Sequence, residues 1–144
     1  MVGGKDILSK YNANKIVIDA ITFDSKAEGE YYKYLLTLKA KEKIINFEMQ
    51  PQYILQPKYT KFGVNIRPIT YIADFLIYHI DGSTEVIDVK GMEIPVGVIK
   101  KKMFNYIYPN LKLTWVARSL KYSDTGWIEC EQLKKLRKAA KNDK

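Results

Sequence analysis

Four residues in this chain have the types and spacing to do chemistry: Glu28, Asp74, Asp88 and Lys90. Asp74 lies within the run from Thr70 to Phe75, and Asp88 and Lys90 close the run that begins at Thr84. Side chains two apart on a strand share a face, so Asp88 and Lys90 project together. A carboxylate among Val86, Ile87 and Val89 is costly to bury unless it is paired or bound to a metal. A second acid on a hairpin partner adds to that cost. Unit charges ~4 Å apart repel by roughly 4 kcal/mol at an effective dielectric of about 20. Against a domain stability of about 5–15 kcal/mol this is large, and a shared divalent cation removes it. Carboxylate ligation without a cysteine or histidine cluster suits Mg2+ or Mn2+ rather than zinc. Beside a lysine, such a centre suits hydrolysis of a phosphodiester. The ion polarises the phosphate and acidifies a water, and the amine positions that water or offsets charge on the phosphorane.

The elements that must position these groups follow from local pattern. Ser25 with Glu28 three residues later is a capping box, which starts a helix expected to run to about Lys43. Three-and-four spacing puts Tyr31, Tyr32, Leu35, Leu36 and Lys39 on the face of Glu28, while Glu30 falls with Lys33, Thr37 and Lys41 toward solvent. Residues 15–21 read as a short strand or extended segment, and Ile44–Phe47 and Pro51–Pro57 as extended. Residues 58–66 read as a hairpin tip or loop centred on Gly63. Arg67–Ile80 is expected as one long strand carrying Asp74, turning through Asp81-Gly82-Ser83 into a partner over Thr84–Lys90. Asp74 and Asp88 share a face only if even positions pair with even ones, which requires an odd-length loop or a bulge. Val96–Tyr108 reads as a helix with Ile99, Met103, Tyr106 and Ile107 inward, Lys100, Lys101 and Lys102 on the other arc, and Pro109 as its stop. A core strand over Leu111–Ala117 and a turn at Ser123–Gly126 follow. Residues 129–144 form a basic C-terminal helix with Leu133, Leu136 and Ala140 inward. Helix, strands, helix and strand in this order predict one α/β domain over 1–144 with a mixed sheet flanked by helices, preceded by a mobile arm over 1–13.

Structural roles compete for the same residues. Glu28 also serves as the capping partner of Ser25, Asp88 and Lys90 also suit an ion pair within the sheet, and three successive lysines also suit a solvated helix face. His79, the single histidine, has no partner pattern and reads as an ordinary sheet residue. The chain has a net charge of +8 over 144 residues, so polyanions suit it as partners. With one cysteine, Cys130, it forms no internal disulfide and fits a reducing compartment. No apolar run approaches the roughly 20 residues of a membrane span, and the first residues lack the apolar core of a secretory signal. The expected location is cytoplasmic, without membrane attachment.

Asp74, a dozen or so residues, then Asp88-x-Lys90, after a helix carrying Glu28, resembles the PD-(D/E)XK restriction-endonuclease-like superfamily. Ala73 stands where the motif has proline and Asp88 where it usually has glutamate. A family of small phage-encoded nucleases is closer still, through KYNANK, FDSKAEGEYYKYL, FEMQPQYILQP, ITYIADF and DVKGM, and the order of segments is similar to that of phage endonuclease I, a junction-resolving enzyme. The resemblance implies a restriction-endonuclease-like fold and a Mg2+- or Mn2+-dependent DNA endonuclease of phage recombination, replication or packaging. Asp74 and Asp88 would then ligate metal, Glu28 assist through water or a second ion, and Lys90 serve the nucleophile, with Gln50 auxiliary. Lys100, Lys101 and Lys102 would meet the DNA backbone. With no room for a base-reading module, branched DNA is the expected substrate, and resolving a junction symmetrically calls for a homodimer. Two other classes stay open: a nuclease-fold protein that binds DNA or a phage partner without cutting, and a host-directed factor that binds protein.

Overall fold

The computed structural model describes residues 15–143, so the arm expected over 1–13 lies outside them. β1 (Ile16–Ile18) and β2 (Ile21–Phe23) form an antiparallel hairpin turning on Asp19 and Ala20, both at positive φ. α1 (Lys26–Ala40) follows, and the Ser25 hydroxyl accepts from the Glu28 amide at 3.1 Å, the capping bond its spacing predicts. The helix stops at Ala40, short of Lys43. Glu42 takes φ +57, its amide bonds the Lys39 carbonyl, and the Lys43 amide bonds that of Leu38. This is a Schellman closure, with glutamate where glycine is usual. Gly29, Tyr31, Tyr32 and Leu35 are buried, whereas Leu36 and Lys39, expected beside them, are exposed: Leu36 at the margin of the arc and Lys39 in the last turn.

Five strands make the main sheet: β3 (Ile44–Met49), β8 (Phe75–His79), β9 (Thr84–Val89), β10 (Leu113–Arg118) and β11 (Trp127–Glu129), in the order β11-β10-β9-β8-β3. β9 and β10 are parallel, joined by a crossover through α2 (Pro95–Ile107), and the other neighbours are antiparallel. The fold is therefore α/β with a mixed sheet. β11 replaces the turn-to-helix transition expected there, and the last helix, α3 (Cys130–Asn142), begins one residue later than predicted. α1 covers one face over Phe23, Tyr31, Leu35, Phe75, Ile87 and Val116. A second core joins Leu55, Tyr71, Ala73, Val86 and Phe104 beneath α2.

The long strand expected over Arg67–Ile80 is two strands in different sheets. β7 (Ile69–Ile72) pairs with β4 (Gln52–Gln56), while β8 pairs with β3 and β9. Between them Ala73 donates to the Pro51 carbonyl at 3.1 Å, and Asp74 gives its carbonyl to the Gln50 amide at 2.9 Å. Two neighbouring strands thus leave the main sheet together, at Gln50-Pro51 and at Ala73-Asp74. Asp74 stands in the break, not inside a strand. Farther along, β5 (Tyr59–Lys61) and β6 (Val64–Ile66) form a separate hairpin around Phe62-Gly63.

α2 uses a different face from the one its periodicity suggests. Phe104 is its fully buried residue, Met103 is half-buried, and Ile99, Tyr106 and Ile107 are exposed. The inward arc runs through Gly97, Lys101 and Phe104, with a Cβ at Gly97 standing 3.8 Å from the Trp115 ring and the Lys101 ammonium 4.4 Å from its centre. A lysine stem and a glycine therefore take the place that an apolar count gives to Ile99. α3 buries Leu133, with Leu136 and Ala140 half-buried as expected. No helix among the described residues is long and apolar enough to cross a membrane.

Candidate active site

The β8–β9 register pairs Leu76 with Val86 and Phe75 with Ile87, so even positions face even positions and Asp74 comes opposite Asp88. The odd loop Ile80-Asp81-Gly82 permits this, closed by the His79 amide on the Ser83 carbonyl and by Gly82 at φ +90. At the break each aspartate carboxylate accepts from a backbone amide of the neighbouring strand segment. The Asp74 amide is shared between the Ile87 carbonyl at 3.0 Å and Asp88 Oδ1 at 3.1 Å, and the Val89 amide donates to Asp74 Oδ2 at 2.8 Å. Asp88 is buried. Its Oδ2 accepts from the Tyr71 hydroxyl and lies 3.4 Å from Lys90 Nζ. The Tyr71 oxygen in turn accepts from Trp115 Nε1 at 2.8 Å, and Trp115 is the register partner of Asp88 on β10. Lys90 Nζ also lies 4.7 Å from the centre of the Trp115 ring.

The surroundings of Asp74 are of the opposite sign. Burial first, then the negative charges of Asp88 and Glu28, push its carboxyl up to about 8. Glu28 is raised as well, by burial, then by Asp24, with Asp88 contributing less. Glu28, Asp74 and Gln50 line one pocket of about 110 Å³ with Ile21, Thr22, Phe23, Met49 and Phe75. At about 30 Å³ per water, it has room for a partly hydrated ion. Gln50 is held there at φ +53, and its amide bond to the Asp74 carbonyl fixes the pocket wall.

The predicted residues are thus brought together unequally. Asp74, Asp88 and Lys90 adjoin, Glu28 and Gln50 share a pocket with Asp74, and Lys101 reaches Trp115 from α2. Lys100 is half-buried and Lys102 exposed on the same helix. Among the described residues no three acidic, histidine or cysteine side chains already stand together as a metal-ligating group. The oxygen donors that line the pocket, Glu28, Asp74 and Gln50, nevertheless suit a hard divalent cation. Burial followed by neighbouring negative charge raises the carboxyls of Asp74 and Glu28, while Asp88 and Lys90 stand beside Asp74 outside the pocket lining.

Sequence reasoning missed Tyr71 and Trp115, which no spacing ties to Asp88. It also read His79 as partnerless, whereas Nε2 meets Glu85 Oε1 at 2.9 Å, with Thr114 and Lys112 on the other oxygen of Glu85. That cluster lies at the far end of the sheet and is internally compensated. Glu30, expected in solvent, is half-buried, with Lys33 and Arg118 each at 3.8 Å.

A family model described as "Protein of unknown function (DUF1064)" matches residues 8–124. The chain belongs to that family. No curated protein and no solved structure matches the chain. The part shared with the DUF1064 family contains Glu28, Gln50, Asp74, Asp88, Lys90 and the three lysines of α2, and it ends before α3.

Proposed function

We propose that this protein is a metal-dependent DNA endonuclease of restriction-endonuclease-like fold. Its preferred substrate is branched DNA such as a four-way junction, in phage recombination, replication or packaging within the host cytoplasm, and it works as a homodimer. The observation that carries the reading is the mutual locking of Asp74 and Asp88 at the strand break, beside Lys90. In a chain of net charge +8, acids gathered at such a cost in burial and repulsion favour a site that binds a cation.

Asp74 and Asp88 would hold a Mg2+ or Mn2+ ion, with Glu28 reaching it through water. When bound, the cation supplies charge that polarises the phosphate and acidifies an attacking water. The chain's own residues do the rest. Lys90, whose ammonium stands 3.4 Å from Asp88, would orient the attacking water against phosphorus and offset the charge of the phosphorane. Tyr71, itself held by Trp115, fixes Oδ2 of Asp88 and so orients that carboxylate. Lys101 adds positive charge on the same side, and Lys100 and Lys102 hold the backbone independently of sequence.

The test is to incubate the protein with four-way junction, flap, single-stranded and linear duplex DNA, in Mg2+, Mn2+ or EDTA, beside Asp88→Ala and Lys90→Ala. Cleavage that needs metal and is lost in both variants is expected, strongest on the junction. Cleavage untouched by either substitution rejects the site. Equal cutting of all substrates rejects only the branched preference. Binding that persists in EDTA with no cutting in metal makes the protein a non-cleaving DNA binder.

A further inference from the structure

The hairpin β5–β6 is composed against its own stability. Lys61 pairs with Val64, so Phe62 and Gly63 form a two-residue turn, and both have positive φ, +49 and +77. Turns of this kind favour asparagine, aspartate or glycine, and bulky residues avoid the left-handed region. Phe62 is in addition 95% exposed. The comparable turn of β1–β2 carries Asp19, whose carboxylate accepts from Tyr32 at 3.0 Å. Phe62 has only the Lys61 ammonium, 5.8 Å from its ring centre. Neither packing nor backbone geometry explains a phenylalanine here.

The surroundings point to a polyanion. Lys58, Lys61 and Arg67 flank the tip, and no acidic residue occurs between Glu48 and Asp74. Tyr59 and Val64 are exposed beside them, and Thr60 bonds Asn65 across the strands at 2.9 Å, stiffening the ribbon. The hairpin belongs to none of the other sheets. It continues from β4 and β7, the two strands that leave the main sheet at Gln50 and Asp74. At about 3.3 Å per residue, its tip stands at most on the order of 40 Å from the acids. A cationic ribbon with an unpacked aromatic at its end is built to approach phosphates and set a ring against a base, an interaction open wherever bases are unstacked.

We propose that β5–β6 is a wedge for strand-separated DNA: Phe62 stacks on an unpaired base at a fork or branch point while Lys58, Lys61 and Arg67 meet the flanking phosphates. This rests on the reading of DNA as partner, and it assigns the preference for branched over linear DNA to the hairpin, separately from the cutting site. The experiment is fluorescence-anisotropy binding in EDTA, where no cleavage occurs, of full-length protein to a splayed-arm fork and to a linear duplex of equal length. Wild type, Phe62→Asn, Phe62→Trp and Asp88→Ala are compared, each with a thermal melt and a sedimentation measurement. Phe62→Asn is expected to weaken fork binding about tenfold, leave duplex binding alone, and melt no lower than wild type, because asparagine suits the turn. Phe62→Trp is expected to keep the preference for the fork. Unchanged fork affinity in Phe62→Asn overturns the wedge. So does a fall in melting temperature that accounts for the weaker binding, and so does a change of association state with DNA binding intact, which would make the hairpin an interface between copies. Asp88→Ala and Phe62→Asn, each read for fork preference in EDTA and for fork cleavage in Mg2+, separate the two readings. Wild type that shows the Phe62-dependent fork preference but never cuts sinks the nuclease site alone. Cutting lost in Asp88→Ala, with no fork preference to lose in Phe62→Asn, sinks the wedge alone.

Discussion

Asp74 and Asp88 differ in what neutralises them, and that difference has consequences for pH. Asp88 has Lys90 and two hydrogen-bond donors, whereas Asp74 has one backbone amide and two nearby negative charges. The Asp74 carboxyl titrates from an ordinary 3.8 up to about 8 in the folded chain. Between those values the folded state keeps a proton that the unfolded state has released. The contribution of this carboxyl to the stability of the metal-free protein is therefore full below about 4, falls as pH rises toward 8, and is lost above it, whereas Asp81 and Glu85, both held below their ordinary values, lose their contributions only at the acid end. The raised carboxyl of Glu28 acts in the same direction. Thermal melts in EDTA should show a melting temperature that declines by several degrees across this window. Asp74→Asn should flatten the decline, and Mg2+ should restore more stability near pH 8 than near pH 5. Single-turnover cleavage should rise with pH as Asp74 loses its proton, with a midpoint that moves down as metal is raised. Tyr71→Phe tests the support of Asp88. It leaves the Trp115 N–H without an acceptor, at a cost of about 1–3 kcal/mol, and frees one oxygen of Asp88. Metal affinity, read by calorimetry, should fall about tenfold.

At the scale of elements, α1 matters because it delivers Glu28, and its seat on β1 is unusually close. A Cβ at Gly29 would stand 2.4 Å from Ile16 Cδ1 and 2.9 Å from Ile18 Cδ1. Alanine would add about 1 kcal/mol of helix propensity, but the overlap forces the Ile16 and Ile18 side chains out of their places at a cost of about 1–3 kcal/mol. Gly29→Ala should therefore destabilise on balance and lower cleavage through the displaced Glu28, whereas Ser25→Ala should cost about 1 kcal/mol through removal of the cap. Denaturant melts rank the two. The start of α1 is legible in the sequence because Ser25 and Glu28 interact within one turn. The pairing of Asp74 with Asp88 is legible because alternation puts both on one face only through an odd loop or a bulge, and the structure takes the odd loop. The break at Ala73-Asp74 is not, since the amides there are taken by Pro51 and Ile87, which belong to other strands. Nor is the seat of Trp115 beside Asp88: a parallel register set through the α2 crossover leaves no trace in local spacing. The inward face of α2 escapes its periodicity for a related reason, because Lys101 lies over an indole that only the folded sheet provides.

For the molecule as a whole, the proposed DNA binding draws separately on charge and on shape. A net charge of +8 gives an attraction that ignores sequence and branching and weakens steeply with salt. Lys100 and Lys102 should contribute only to this attraction, because α2 leaves Lys102 exposed and Lys100 half-exposed. Lys101 differs, since its ammonium lies over the ring of Trp115, the same indole that Lys90 contacts. A Lys100→Ala/Lys102→Ala pair should lower affinity for fork and duplex alike. It should also flatten the plot of log affinity against log salt by about 0.9 for each phosphate no longer neutralised, with the cleavage rate at saturating DNA unchanged. Lys101→Ala should lower the affinity slope less and the saturated rate more, because it removes charge from the indole that Lys90 contacts rather than from the approach surface. Anisotropy across a salt series, paired with single-turnover cleavage at saturation, separates the two variants. If all three lysines changed only the salt slope, Lys101 would belong to the approach surface, and positive charge near Asp88 would come from Lys90 alone.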